Sequence, residues 1–189
     1  MLTQLASPVL VIGGAHAGKS EWSMQAMAPD QPAVVIATAD VNQLGQPARI
    51  ERLRSMRPAS WDTVEDYRDL DGLLSDAFGK VDQVMIDSLN QWLAYLVLEV
   101  GVDDAGPAYE ERVAEVLQKT QPFLDRVASL NGKRLVMVAT EVGSAPPSHR
   151  GNERLYRQVV GVTLQRLASL SATVVAMQAG LPALIKEPT

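Results

Sequence analysis

The run Val9-Leu10-Val11-Ile12 passes without a break into Gly13-Gly14-Ala15-His16-Ala17-Gly18-Lys19-Ser20, which fits the pattern G-x-x-x-x-G-K-[ST]. Few features restrict a fold more. Four consecutive apolar residues, three of them β-branched, read as a strand buried on both faces, the environment of a parallel sheet. The glycines then let the backbone curl so that its N–H groups point inward at an anion, and a helix starting near Gly18 adds the positive end of its dipole. Lys19 is set to reach the β- and γ-phosphates, and Ser20 to offer a hydroxyl to Mg²⁺. Gly13, Gly14, Ala15, His16, Ala17, Gly18, Lys19 and Ser20 are therefore the expected binding residues for a nucleoside triphosphate, ATP or GTP. The competing reading is a Gly-rich strand-to-helix turn in which Lys19 is an ordinary solvated charge.

The rest of the chain repeats the alternation. Val34 to Ala37, Val84 to Ile86, Leu135 to Ala139 and Val174 to Met177 are further strand candidates. Helical patterns lie between them at Lys19 to Ala28, Gln46 to Met56, Asp66 to Ala77, Leu89 to Val100, Ala108 to Leu130 and Asn152 to Leu170. Strands alternating with helices call for a parallel α/β sheet with crossover connections. Pro122 removes one N–H from the long fifth helix and is expected to kink or split it. The tail from Val174 to Ile185, broken by Gly180 and Pro182, reads as two short strands joined by a turn, a hairpin at the sheet edge.

At 189 residues, 47% hydrophobic and 21% charged, the chain suits one α/β domain spanning 1–189. Its net charge of −5 provides no basic face for a nucleic-acid polymer or an anionic membrane, whereas a small anionic ligand held by a local site remains compatible. The absence of cysteine excludes disulfides, thiolate metal sites and cysteine nucleophiles. No Lys or Arg precedes Lys19, and Gly13-Gly14 cuts the apolar run short. The N-terminus is thus expected to be neither a signal peptide nor a membrane span, and the protein to be cytoplasmic.

Val84-Met85-Ile86-Asp87 is an apolar run ending in a carboxylate, the place where a phosphate-loop protein sets the acid that holds Mg²⁺ directly or through water. An Asp capping the next helix would read the same. Lys19 and Asp87 are the expected catalytic pair, with Ser20 and Asp87 the metal ligands. Arg49, Arg52, Arg54 and Arg57 form a basic cluster in which 49 and 52, or 54 and 57, are three apart, so that two can face one bound phosphate or pair with Asp62, Glu65 and Asp66. Trp61 reads as a packing residue rather than a base-stacking platform.

Taken together, Gly13 to Ser20, Ile36-Ala37-Thr38-Ala39, Ala48-Arg49-Ile50, Arg57-Pro58-Ala59-Ser60-Trp61 with Thr63 and Glu65, Asp87-Ser88-Leu89, Glu141-Val142-Gly143 and Tyr156-Arg157 resemble one family in order and spacing. It is the adenosylcobinamide kinase/adenosylcobinamide-phosphate guanylyltransferase family, and the likeness runs from about residue 9 to Lys186. The resemblance implies a RecA-like phosphate-loop fold of three layers, its sheet mostly parallel with antiparallel C-terminal edge strands. It also implies a homo-oligomer, a trimer, with sites near subunit boundaries, and a role in assembling the nucleotide loop of cobalamin. Thr38, Arg54, Arg57 and Glu65 join the nucleotide-binding residues, and a corrinoid, adenosylcobinamide, joins the partners.

In that family a hydroxyl of adenosylcobinamide is first phosphorylated, and GMP is then transferred from GTP through a guanylylated histidine. Phosphoryl transfer needs a cradle, a metal and positioning. Guanylyl transfer needs a side-chain nucleophile, a role imidazole suits. The resemblance places that histidine three residues beyond the Ile of the R-I pair, where this chain has Leu53. Other departures are His16 and Ala17 in place of Arg-Ser, Thr140 in place of Asn, a changed stretch from Ser144 to Gly151, and Gln158, Val162 and Leu164 in place of Asp, Arg and Asn. His16 and His149 are the only histidines that remain as substitutes. Three readings stand at this point: an adenosylcobinamide kinase lacking the second half-reaction, a non-catalytic nucleotide-binding paralogue, and a phosphate-loop kinase of another small alcohol.

Overall fold

In the computed structural model, residues 5–38, 47–101, 108–144, 146 and 148–188 are described. Along the chain they form β1 (Val9–Gly13), α1 (Lys19–Gln25), β2 (Ala33–Ala37), α2 (Pro47–Ser55), β3 (Trp61–Val64), α3 (Leu70–Phe78), β4 (Gln83–Asp87), α4 (Leu89–Val100), α5 (Ala108–Ser129), β5 (Arg134–Thr140), α6 (Gly151–Leu170), β6 (Thr173–Gln178) and β7 (Leu181–Lys186).

The strands join in one sheet of order β3-β2-β4-β5-β1-β6-β7. Every pairing is parallel except β6 with β7. Alternate residues of each inner strand feed two separate cores, as a pleat with period two requires. Leu10, Val34, Ile36, Val84, Ile86, Leu135 and Met137 point into the larger core, with the buried faces of α3, α4, α5 and α6. Val9, Val11, Val35, Met85, Val136, Val138 and Val175 point the other way, toward Trp22 and Met24 of α1, Leu53 of α2 and Trp61. Each such side chain, withdrawn fully from water, contributes about 1.5–3 kcal/mol. Burial on both faces explains why these strands read as unbroken apolar runs. It also confines polar side chains to the strand ends. The result is the three-layer, mostly parallel arrangement with an antiparallel C-terminal edge that was expected.

Several boundaries differ from expectation. Helix α1 stops at Gln25 rather than Ala28. Beyond it, Gln83, 1% exposed at the start of β4, accepts from Ala28 N–H and donates to the carbonyls of Ala28 and Gln31, which holds that segment as a loop. Helix α3 begins at Leu70 rather than Asp66 because Asp66 caps a turn through the N–H groups of Tyr67 and Arg68, and Asp69 then caps the helix through Gly72 N–H. The expected start of α2 at Gln46 lies outside the described residues.

Pro122 does not split α5, which runs on to Ser129. Pro122 and Gln118, the residue whose carbonyl it leaves unbonded, both face solvent, while Val116, Thr120, Phe123 and Val127 hold the opposite face in the core. Packing on one side and water on the other outweigh the missing bond. Strand β3 was not anticipated: of its four residues only Trp61 is buried, too short and too polar a pattern to read as a strand. Trp61 does pack, and its Nε1–H donates to the Gln31 carbonyl at 3.1 Å. The C-terminal hairpin is present, turned at Ala179 and Gly180 with φ of 51° and 82°. It leaves Leu181, Leu184 and Ile185 exposed along the β7 edge.

Gly13 ends β1 against β6, where a Cβ would lie 2.3 Å from the Met177 carbonyl oxygen, whereas a Cβ on Gly14 would meet nothing within 4 Å. Gly13→Ala is therefore expected to lower unfolding free energy by about 1–3 kcal/mol, as overpacking against backbone does. Gly14→Ala should leave urea unfolding within about 0.5 kcal/mol of the parent. Equal losses in the two variants would refute the close approach.

Candidate functional site

The carboxyl ends of the parallel strands face one crevice, the place where open α/β sheets bind ligands. Two adjoining cavities of about 260 and 350 Å³ occupy it. Their shared wall is the loop from β1 to α1. Ala15, His16, Lys19 and Ser20 line the first cavity, and His16, Ala17, Gly18, Lys19 and Ser20 the second. Gly13 and Gly14 line neither cavity, and Gly13 packs against the Met177 backbone. The Lys19 Nζ donates to the Gly14 carbonyl at 2.7 Å, across the loop itself. Gly18 and His16 both have positive φ, 86° and 58°, conformations that glycine adopts freely and histidine more often than most residues.

Facing the loop stands Asp87 at the end of β4. The Ser20 hydroxyl hydrogen-bonds to its carboxylate. Burial pushes the Asp87 carboxyl upward from the usual carboxylate range, and that hydrogen bond together with the charges of Arg49, Arg57 and Lys19 pulls it back. Burial likewise draws the Lys19 ammonium downward, with Asp87 opposing and Arg49 adding to the fall. Lys19 and Ser20 are largely withdrawn from water, and there charges act strongly on one another. Two hard oxygens already face each other here, and among the described residues no group of three His, Cys, Asp or Glu side chains would hold a metal by itself. That donor set fits Mg²⁺, which binds through one or two protein oxygens and leaves its other positions to phosphates and water. Ser20 and Asp87 would hold it.

The far wall comes from β2, β5, α2 and α4. Thr38, 1% exposed, fastens the end of β2 to that of β4. Its N–H donates to the Asp87 carbonyl at 3.0 Å, its Oγ1 donates to the Ser88 carbonyl at 2.6 Å, and the same Oγ1 accepts from Ser88 N–H at 2.9 Å. Asn90 ties α4 to β5: its Nδ2 donates to the Thr140 carbonyl at 2.9 Å and to Tyr156 Oη at 3.0 Å, and its Oδ1 accepts from Thr140 N–H at 2.6 Å. Arg49, Ile50, Leu53, Gln91 and Val138 complete the first cavity.

The expected site residues thus divide. Ala15, His16, Ala17, Gly18, Lys19, Ser20, Thr38 and Asp87 line the cavities. Arg54 and Glu65 do not; they pair with each other, and Arg54 also stands 3.8 Å from Glu51. Arg57 donates through Nη1 to Thr63 Oγ1 at 2.8 Å, and its buried Nε has no hydrogen-bond partner. It lies near enough to act on Asp87. Asn90, Gln91 and Thr140 were not anticipated as site residues. Their signal is positional: each follows the carboxyl end of an apolar run. The departures on α6 have separate fates. Leu164 is core, Gln158 accepts from Tyr109 Oη at 3.0 Å, and Val162 lines a third cleft of about 400 Å³ beside Arg154 and Arg157. No helix among the described residues is long and apolar enough to cross a membrane.

The family model for cobinamide kinase/cobinamide phosphate guanyltransferase matches residues 9–185. The chain is 27% identical to the bifunctional adenosylcobalamin biosynthesis protein CobU of Salmonella typhimurium, over 94% of this chain and 99% of that one. To the bifunctional adenosylcobalamin biosynthesis protein CobP of Pseudomonas aeruginosa it is 30% identical, over 94% of this chain and 96% of that one. Among solved structures, an ATPase of a bacterial type III secretion system superposes with a TM-score of 0.53 at 13% identity, covering 93% of this chain and 57% of the longer one. That likeness concerns the fold alone, the RecA-like phosphate-loop class.

Thr38→Val preserves shape and removes both side-chain bonds to Ser88. With the part-buried Ser88 N–H and C=O left without these partners, urea unfolding should report a loss of about 1 kcal/mol or more. A variant as stable as the parent would show that the β2–β4 fastening lies elsewhere.

Proposed function

The chain belongs to the cobinamide kinase/cobinamide phosphate guanyltransferase family, and from that premise we propose that it is a nucleotide-dependent adenosylcobinamide kinase that has lost the guanylyl half-reaction. One observation carries the reading. Lys19, Ser20 and Asp87 converge on a single cavity, and the residue at the family's histidine position, Leu53, faces that same cavity with an apolar side chain. That convergence supports phosphoryl transfer, while the position expected to carry GMP holds no nucleophile.

With ATP or GTP bound, Lys19 exchanges the Gly14 carbonyl for oxygens of the β- and γ-phosphates, and the loop N–H groups hold the remaining charge. Ser20 and Asp87 would hold Mg²⁺, which would supply neutralisation of phosphate charge. The acceptor hydroxyl attacks the γ-phosphorus, the bond to the β–γ bridging oxygen breaks, the nucleoside diphosphate leaves and the hydroxyl proton is released. A loose transition state asks for charge stabilisation more than for a protein nucleophile, so the leucine costs this step nothing. The Nε of Arg57, buried and unpartnered beside Asp87, supports a place for that arginine near a bound anion.

Guanylyl transfer is different, since a leucine has no lone pair with which to attack an α-phosphorus. Of the two histidines, His149 lies on an exposed loop outside both cavities. His16 lines both, at the phosphate loop, and serves there as a hydrogen-bond donor to phosphate. Self-association belongs to the same reading, and the apolar β7 edge supports it: sedimentation should report a species heavier than the 20.4 kDa chain. A 20.4 kDa species at micromolar concentration would remove this part.

The decisive assay incubates protein with Mg²⁺ and ATP or GTP, with and without adenosylcobinamide, following nucleoside diphosphate release and corrinoid mass together. The expected outcome is a corrinoid-dependent gain of one phosphate and, from α-labelled GTP, no protein-bound GMP. Lys19→Ala should weaken nucleotide binding by about tenfold or more, the loss of one charge-assisted contact. Nucleotide binding without any gain in corrinoid mass would overturn this acceptor and turn the reading toward the non-catalytic paralogue, which Leu53 and the changed α6 favour, or toward a kinase of another small alcohol.

A further inference from the structure

Three of the four arginines around α2 are engaged. Arg52 stands 3.9 Å from Glu21 of α1, Arg54 pairs with Glu65, and Arg57 donates to Thr63. Arg49 has no hydrogen bond or ion pair among the described residues, yet it lines both cavities of the phosphate crevice, opposite Lys19 and Ser20. It is also close enough to Lys19 and Asp87 to bias the charge of each.

Its aim is set by the residue one turn further along. Arg49 and Leu53 are four apart, so they share a face of α2. Leu53 is 8% exposed and packed in the core on the α1 side of the sheet with Trp22, Met24 and Trp61. Its anchoring turns the face that bears Arg49 toward the phosphate loop. Asp87 offsets only part of the repulsion between this guanidinium, unpaired among the described residues, and Lys19, and a bound polyphosphate would offset more. The planar fork matches two oxygens of one phosphoryl group.

We propose that Arg49 is a catalytic arginine supplied in cis, whose guanidinium binds the oxygens of the γ-phosphoryl group and stabilises the charge that develops there during transfer. The role rests on the phosphoryl-transfer reading above and deepens it. Arg49 makes and breaks no covalent bond; it holds the transferring group while the bridging oxygen leaves and the acceptor oxygen bonds. On this account the leucine is not merely a lost histidine. It pins the helix that presents the arginine.

The test compares binding of Mg·ADP with binding of Mg·ADP and aluminium fluoride, a mimic of the transferring phosphoryl group, in the parent, Arg49→Ala and Arg49→Lys; GDP replaces ADP if it binds more tightly. Arg49→Ala should weaken the aluminium fluoride complex by about 100-fold or more while Mg·ADP affinity stays within about threefold. Arg49→Lys should recover little, lacking the fork. Unchanged binding in both complexes, or an equal loss in both, overturns the proposal, as does a parent protein that binds Mg·ADP but forms no fluoride complex. The mimic needs no acceptor. A parent that forms the complex without phosphorylating adenosylcobinamide therefore defeats only the choice of acceptor and leaves the role of Arg49 standing.

Discussion

A carboxylate drawn out of water has to be compensated, and at Asp87 that requirement organises the upper half of the molecule. The Ser20 hydroxyl comes from α1, the Arg49 guanidinium from α2, Arg57 from the approach to β3, and the Lys19 ammonium from the phosphate loop. Isolated ionised groups in a low dielectric cost many kcal/mol, so none of these elements is placed independently of the others. Thr38 fixes the backbone behind the carboxylate, which settles where it points. The two-sided burial of the parallel strands leaves no other place for such a cluster, because polar side chains fit only where the strands end.

The fold was largely legible because its main signal is coarse. Unbroken apolar runs such as Val84 to Ile86 mean burial on both faces, and spacers of helical length between them mean parallel pairing. What stayed hidden depended on contacts between distant residues. Strand β3 has one buried residue, and its pairing is set by β2 rather than by its own pattern. The loop that follows α1 is held by Gln83, fifty-five residues from its partner Ala28. Of the kink or split expected at Pro122, the split does not occur, because a local rule about one hydrogen bond ignores the packing of the opposite helix face.

The site was legible where a motif is contiguous and opaque where it is assembled. Gly13 to Ser20 and Asp87 announce themselves by type and order. The arginine cluster did not, since four arginines within nine residues offer no clue to which faces the crevice. Intramolecular acids narrow that: Glu21 and Glu65 engage two of them, and Arg49, one turn before Leu53, lines the crevice. Asn90, Gln91 and Thr140 could have been nominated from their place just past strand ends, a rule of architecture rather than of motif.

The bond from Lys19 to the Gly14 carbonyl has a thermodynamic consequence. An empty phosphate loop with a dangling ammonium would gain the full value of its first ionic contact. Here occupancy is an exchange, in which one partner is surrendered for another. Affinity for a polyphosphate is thus the difference between two satisfied states, and the loop keeps its curled shape without a ligand to hold it.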